Sequence, residues 1–307
     1  MIETPSVAIL MCTYNGAEFI QAQLDSFAAQ NNNHWSLWVS DDGSSDQTVE
    51  QVQDFMRRHQ VVGEVVQGPK QGFAKNFQSL TSLPQIEADY YAFADQDDIF
   101  CSDKLTRAVA WLEQQDRTKP ALYCSRTQLI NEHNVVTGYS PNNTKAPGFG
   151  NALIQNIASG NTMVFNKAAR HLFVQACHVP MVFHDWSLYQ IVTACEGAVY
   201  FDSHPTVLYR QHSQNVVGNG MALQRRIKNF LAVHQGRSRE WNSINIHVLE
   251  QVREHMSPRA AEQLQCFKAM RSANLWQRLQ LMRQAGLYHQ HCLGGLTTLS
   301  YVLRNRL

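Results

Sequence analysis

A chain of 307 residues, 44% hydrophobic and 17% charged, fits a soluble globular protein with one large core or a core and a smaller appendage. Its seven cysteines (12, 101, 124, 177, 195, 266 and 292) are odd in number, scattered and never paired as C-x-x-C, which argues for reduced thiols in a cytosolic setting and against a disulfide framework or a zinc cluster. The net charge of +1 hides a division: residues 1–219 carry −8 and residues 220–307 carry +9, so a boundary is expected in the polar, glycine-containing stretch 213–220.

No secretory signal is in view at the N-terminus, and no apolar run approaches the ~20 residues needed to span a bilayer. Val7 to Cys12 is a continuous apolar run followed by Thr13, Tyr14 and Asn15, the pattern of a buried parallel strand. Ile20, Leu24, Phe27 and Ala28 recur at helical spacing. Trp35 to Ser40 reads as a second strand, and Asp41, Asp42, Gly43 and Ser44 as a turn with capping residues for a helix carrying Val49, Val52 and Met56. Val61 to Gln67 is a third strand candidate, with Phe73, Phe77 and Leu80 on the helix behind it. Tyr90 to Ala94 is a fourth, followed by a helix through Leu105, Val109 and Leu112. Four strand-helix alternations predict an α/β layer on a parallel sheet, with ligands at the carboxyl ends of the strands. No Gly-x-Gly-x-x-Gly follows the first strand and no P-loop motif occurs, so a nucleotide held by acidic side chains and a metal remains.

The acidic run is the centre of that expectation. Asp95, Asp97 and Asp98 lie within four residues at the end of a strand, and each close pair repels by up to roughly 4 kcal/mol at an effective dielectric near 20. They read either as a solvated turn or as a clamp for Mg²⁺ or Mn²⁺ on a diphosphate.

Beyond Pro120 the pattern is mixed. Ala121 to Ser125, Gln128 to Ile130, Val135 to Thr137, Thr162 to Asn166 and Thr206 to Tyr209 look like strands; Phe149 to Ile157 and Lys167 to Cys177 look like helices. His184, Asp185 and Trp186 open another helix. Asp185 reads as an N-cap or as a general base held ionised by the helix N-terminus, and one residue can do both. Arg210 and His212 follow the last strand and read either as ordinary residues or as groups closing over a diphosphate, Arg210 by charge and His212 as a metal ligand or phosphate donor.

The tail from 220 to 307 repeats helical spacing, with Arg225, Arg226, Lys228, Arg237 and Arg239 near its start. It reads as a basic helical appendage or as a peripheral membrane contact. Nucleic acid is not expected, because the basic residues lack interleaved aromatics.

Thr13-Tyr14-Asn15, Asp41-Asp42-Gly43-Ser44, Gly72 to Asn76, Asp95-Gln96-Asp97-Asp98 and His184-Asp185 stand in the order and spacing of family-two inverting glycosyltransferases, which this chain resembles over about residues 5–215. Within that family, the acidic run, His184-Asp185-Trp186 and Tyr209-Arg210-Gln211-His212 resemble the bacterial rhamnosyltransferases. The resemblance implies a GT-A fold at 1–219 with a mixed, mainly parallel sheet, followed by a helical region at 220–307. It implies that Thr13, Tyr14, Asn15, Asp41, Asp42, Lys75 and Asn76 contact the nucleotide, that Asp95 faces the ribose and the metal, and that Asp97 is the principal ligand of a Mn²⁺ or Mg²⁺ ion. Asp185 is then the catalytic base, and Asn161, His184 and Trp186 lie on the acceptor side. The family carries Glu where this chain has His184. The implied reaction moves a sugar, with L-rhamnose from dTDP-L-rhamnose ahead of a UDP-hexose, onto a glycan or lipid-linked acceptor in the cytoplasm, possible also at the inner membrane face. Two readings from other classes stand beside it: a sugar-phosphate nucleotidyltransferase, whose Gly-rich N-terminal loop is absent, and a non-catalytic carbohydrate-binding protein.

Overall fold

The structure, a computed structural model, describes residues 4–212 and 237–307. The expected boundary at 213–220 and the basic residues Arg225, Arg226 and Lys228 lie outside the described residues.

Strands β1 (Val7–Thr13), β2 (Trp35–Asp41), β3 (Gly63–Gln67) and β4 (Tyr90–Asp95) alternate with helices α1 (Ile20–Ala28), α2 (Thr48–His59) and α3 (Phe73–Thr81). They pair in parallel in the order β3-β2-β1-β4. Every residue of β1 is buried, because helices cover both faces of the sheet. Ala8, Leu10 and Cys12 pack with Phe77 and Leu80 of α3, whereas Val7, Ile9 and Met11 pack with Ile20, Leu24 and Phe27 of α1. The two-residue period of the strand thus divides one apolar run between two cores.

After β4 come β5 (Ile99–Phe100), α4 (Lys104–Leu112), β6 (Ala121–Asn131), β7 (Val136–Tyr139), α5 (Phe149–Ala152), β8 (Val164–Asn166), α6 (Lys167–Gln175), α7 (His184–Ala194) and β9 (Ala198–Gln211). β8 joins β4 antiparallel, β6 joins β8 antiparallel, β9 runs parallel to β6, and β5 pairs antiparallel with β9. The result is a mixed, mainly parallel sheet. The two strands expected at 121–125 and 128–130 are one strand with an irregularity between Ser125 and Thr127, since β9 pairs along both parts. The helix expected over 149–157 ends at Ala152. Its carbonyl is taken by Trp186 Nε1 at 2.7 Å and Gln190 Nε2 at 3.0 Å, which replace the next helical donor.

Helices α8 (Ser238–Gln251), α9 (Pro258–Ala269), α10 (Leu275–Gln284) and α11 (Cys292–Leu303) complete the described chain. Their starts follow local chemistry: Ser257 caps α9 ahead of Pro258, and Asn274 with Gln277 forms a capping box on α10. Val248, Leu249, Leu264, Phe267 and Val302 share one hydrophobic cluster with Leu10 and Phe93. Asn151 Nδ2 also donates to the Tyr288 carbonyl at 3.1 Å, so these helices share the core of the sheet layer. No helix among the described residues is long and apolar enough to cross a membrane.

Candidate active site

Strand order reverses at β1: the chain steps outward through β2 and β3, then returns to place β4 on the other side of β1. A crevice opens at such a switch point, at the carboxyl ends of the strands. The register puts Thr13 opposite Asp41 and Cys12 opposite Asp95, so the polar loops after β1, β2 and β4 meet there.

On the β2 side the Asp41 carboxylate accepts from Thr13 Oγ1 at 2.8 Å and from the Ser44 and Gly43 amides at 2.8 and 3.1 Å. This turn is closed by Asp41 itself and is separate from α2, which starts at Thr48 with its amide on Asp46 Oδ1. The residues expected to cap the helix, 41–44, lie ahead of it: Gln47 is the N-cap and makes no side-chain cap bond, while Asp46 takes the Thr48 amide. Asp42 accepts from the Lys70 and Gly72 amides at 2.6 and 2.9 Å, which folds the loop after β3 over the crevice. Gly72 has φ 87°, a conformation that favours glycine. Asn15, at φ 48°, accepts from the Ser45 amide at 2.8 Å. Tyr14 is exposed, and its main chain is held on both sides by Gln96, at 2.8 Å to Tyr14 N and 3.0 Å to Tyr14 O.

Lys75 and Asn76, expected at the nucleotide, each have a partner within the protein. Asn76 is buried, accepting from Ser40 Oγ at 2.6 Å and donating to Ser40 O at 2.9 Å. Lys75 Nζ reaches the Cys177 carbonyl at 3.2 Å. Both brace the floor of the pocket.

At the acidic end, burial raises the Asp95 carboxyl to about 7, with the charges of Asp97 and Asp185 adding to it. Asp98 is fully buried and also held well above the usual range, first by burial and then by Asp97 and Asp95. It accepts from Asn161 Nδ2 at 2.6 Å and the Arg210 amide at 3.0 Å. His212 Nε2 lies 2.7 Å from Asp97 Oδ2. Among the described residues no three His, Cys, Asp or Glu side chains form a ready-made metal cage. The donor set nevertheless fits a hard divalent cation: two carboxylates crowded by a third, with an imidazole alongside.

Arg210 is placed differently from an open anion clamp. Its buried guanidinium donates from Nε to Asp97 O at 2.8 Å and from Nη1 to Asn134 Oδ1 at 2.6 Å, and it stacks 4.8 Å from the Phe19 ring. It holds the acidic loop from behind. Asn161, expected on the acceptor side, is likewise buried; its Nδ2 donates to Asp98, and its Oδ1 has no hydrogen-bond partner among the described residues.

Phe183 precedes α7 as its cap, so Asp185 sits in the first turn, two positions beyond the N-cap the sequence suggested for it. Asp185 Oδ2 accepts from the Gly160 amide at 3.0 Å and Oδ1 from Trp186 N at 2.6 Å. Burial outweighs these hydrogen bonds and raises its carboxyl to about 6. His184 stacks on Phe77 with ring centroids 3.9 Å apart, and burial lowers its imidazole to about 3. A neutral ring therefore packs behind Asp185, and Gly160 makes room for it, since a Cβ there would lie 2.8 Å from His184 Nε2. Trp186 is fixed through its indole N–H and edge contact with Trp241.

Two contributors escaped the sequence reading. Gln96 was visible inside the acidic run but carries no charge. Lys104 had no signal, because a lysine opening a helix ordinarily faces water. Here it is fully buried, with Nζ 2.9 Å from the Asn161 carbonyl, and burial lowers it to about 7.

Among curated proteins, the chain is 28% identical over 233 residues to a dTDP-rhamnosyl transferase, RfbG, of Shigella flexneri, covering 71% of this chain and 77% of that one. It is 29% identical over 132 residues to a UDP-Glc:alpha-D-GlcNAc-diphosphoundecaprenol beta-1,3-glucosyltransferase, WfgD, of Escherichia coli, covering 42% of this chain and 49% of that one. Among solved structures it resembles S. aureus TarS 1-349 in complex with UDP-GlcNAc (TM-score 0.54, 12% identity, 97% and 90% of the two chains). It also resembles the mannosyltransferase PcManGT of Pyrobaculum calidifontis in complex with GDP-Man and Mn²⁺ (TM-score 0.51, 17% identity, 99% and 86%). These likenesses show the GT-A fold. The family model described as glycosyl transferase family 2 matches residues 8–173, more than half of the chain and every loop of the crevice up to α6, and the chain belongs to that family.

Proposed function

We propose that this transferase moves a sugar with inversion from a nucleotide donor to a hydroxyl of a bacterial cell-surface glycan or lipid-linked acceptor. The donor reading is dTDP-L-rhamnose, supported by the likeness to the Shigella dTDP-rhamnosyl transferase; a UDP-hexose is the alternative, supported by the likeness to the E. coli glucosyltransferase. The observation that carries the mechanism is the placement of Asp185 in the first turn of α7, its carboxylate held by the Gly160 and Trp186 amides and close enough to Asp95 for its charge to act there.

In this reading Thr13, Tyr14, Asn15, Asp41 and Asp42 line the nucleotide side, while Asp95, Asp97 and His212 are the residues that would hold Mn²⁺ or Mg²⁺. A bound divalent cation supplies positive charge for the leaving diphosphate. Asp185 takes the proton of the acceptor hydroxyl, whose oxygen bonds to the anomeric carbon as the bond to the diphosphate oxygen breaks, and the nucleoside diphosphate leaves with that electron pair. Arg210 contributes charge through the Asp97 main chain it holds. His184 and Trp186 wall the acceptor side and keep Asp185 aimed. Residues 1–219 are taken as the catalytic region and 220–307 as a basic region, whose described part, 237–307, is helical and which a lipid-linked acceptor would bring against a bilayer.

Nucleoside diphosphate release measured with dTDP-L-rhamnose and UDP-hexoses, with Mn²⁺ and with a chelator, tests the reading. Release from no nucleotide-sugar under any condition would overturn it, and the anomeric configuration of the product, read by NMR, decides inversion.

A further inference from the structure

Helix α11 is unusual for a surface helix. It contains no charged residue from Cys292 to Leu303, yet Leu293 is 76% and Leu296 64% exposed. With Leu303, also exposed, they recur at spacings of three and seven residues, which places them on one outward stripe. The opposite side, with Thr298 and Val302 buried, faces the protein.

The neighbouring helix extends this surface. Arg278 Nη1 of α10 donates to the Val302 and Leu303 carbonyls at 2.6 and 3.2 Å, so the start of α10 lies beside the end of α11. There Leu275 is exposed and Trp276 is 81% exposed. Along this stretch of sequence the charge has one sign: residues 263–307 contain Lys268, Arg271, Arg278, Arg283, Arg304 and Arg306 and no Asp or Glu, with Lys268 paired to Glu250 at 2.7 Å. Arg283, Arg304 and Arg306 are exposed.

We propose that the outward face of α11, with Trp276 of α10, is a docking surface for an anionic phospholipid bilayer. An unpaired leucine stripe favours an apolar phase, Trp favours the boundary between acyl chains and headgroups, and arginines at the rim favour anionic headgroups. Nucleic acid would engage the arginines but leave the leucines in water. The surface deepens the lipid-linked acceptor reading given above, and rests on it for its purpose. Its depth is that of a helix lying in the interface, anchored by Leu293, Leu296 and Trp276 rather than by charge alone.

The test is flotation of the full chain with vesicles of phosphatidylcholine alone and of phosphatidylcholine with one quarter phosphatidylglycerol, at low and high salt. The wild type is expected to float with the anionic vesicles and to keep part of that binding at high salt. The double variant Leu293→Gln/Leu296→Gln should partition at least about tenfold less, with an unchanged melting temperature and unchanged transfer to a water-soluble acceptor. Arg283→Glu/Arg304→Glu/Arg306→Glu should lose the preference for anionic vesicles. Equal flotation of wild type and the leucine variant would overturn the proposal. So would light scattering that shows a wild-type dimer, split by the leucine substitutions, with no vesicle binding. Vesicle binding without transfer from any nucleotide-sugar would instead overturn the transferase reading and leave the bilayer face standing.

Discussion

His212 Nε2 and Asp97 Oδ2 lie 2.7 Å apart and join the end of β9 to the loop after β4 across 115 positions of sequence. The contact closes the far side of the crevice at the residues proposed to hold a cation.

If both are ligands, Asp97→Ala should weaken nucleoside diphosphate binding in the presence of Mn²⁺ by about 100-fold, and His212→Ala by about tenfold. Titration calorimetry with and without a chelator checks this. Affinity that is unchanged in both variants and indifferent to the chelator removes the cation from the site.

Asp185→Asn should lower kcat by about 10²- to 10⁴-fold while leaving donor affinity in place. The base acts as the carboxylate, and its carboxyl is raised to about 6. Turnover in the wild type should therefore climb about tenfold per pH unit below that value and level off above it. A rate that is flat from pH 5 to 8, with chemistry rate-limiting, would assign the proton to another group.

Lys104 is buried and lowered to about 7 from its ordinary 10.5. Between those values the unfolded chain binds a proton that the folded chain does not, so this group adds stability as pH rises through that window. The full cost of burying its charge is felt below pH 7. Relative to Lys104→Met, the wild type should gain up to about 1 kcal/mol per pH unit between pH 7 and 10. Urea midpoints of the two proteins at pH 6, 8 and 9.5 measure it, and parallel curves would mean that the amine titrates alike in both states.

Gly68→Ala should cost about 1–3 kcal/mol and raise the donor KM. A Cβ at Gly68 would lie 2.7 Å from Asn76 Oδ1 and 2.9 Å from both Asp41 O and Asp42 Oδ1, pushing apart the groups that hold the nucleotide side together. A variant with wild-type melting temperature and KM would show that the loop after β3 gives way freely.

Several features were legible in the chain because they are local. The apolar run 7–12, bounded by Pro5 and by Thr13 to Gly16, reads as a strand covered on both faces, and the strand-helix alternation through residue 112 pointed to the parallel half of the sheet. The aspartates after β2 and β4 stood at strand ends, where the register then aligned them. Arg210 was read as a ligand contact from type and position, and Lys75, Asn76 and Asn161 only through the family resemblance. Folding gives each a carbonyl or side-chain partner far away in sequence, which no local pattern announces.

What the sequence determined by itself was the strand-helix alternation from β1 to β4 and the supply of carboxylates, since period and turn chemistry act over a few residues. Tertiary structure decided which of those groups stay open to the crevice. Antiparallel insertion of β8 and the pairing of β5 with β9 bring Gly160, Asn161, Arg210 and His212 to the acidic loop. Burial there, a property of the assembled layers, sets the protonation of Asp95, Lys104 and Asp185.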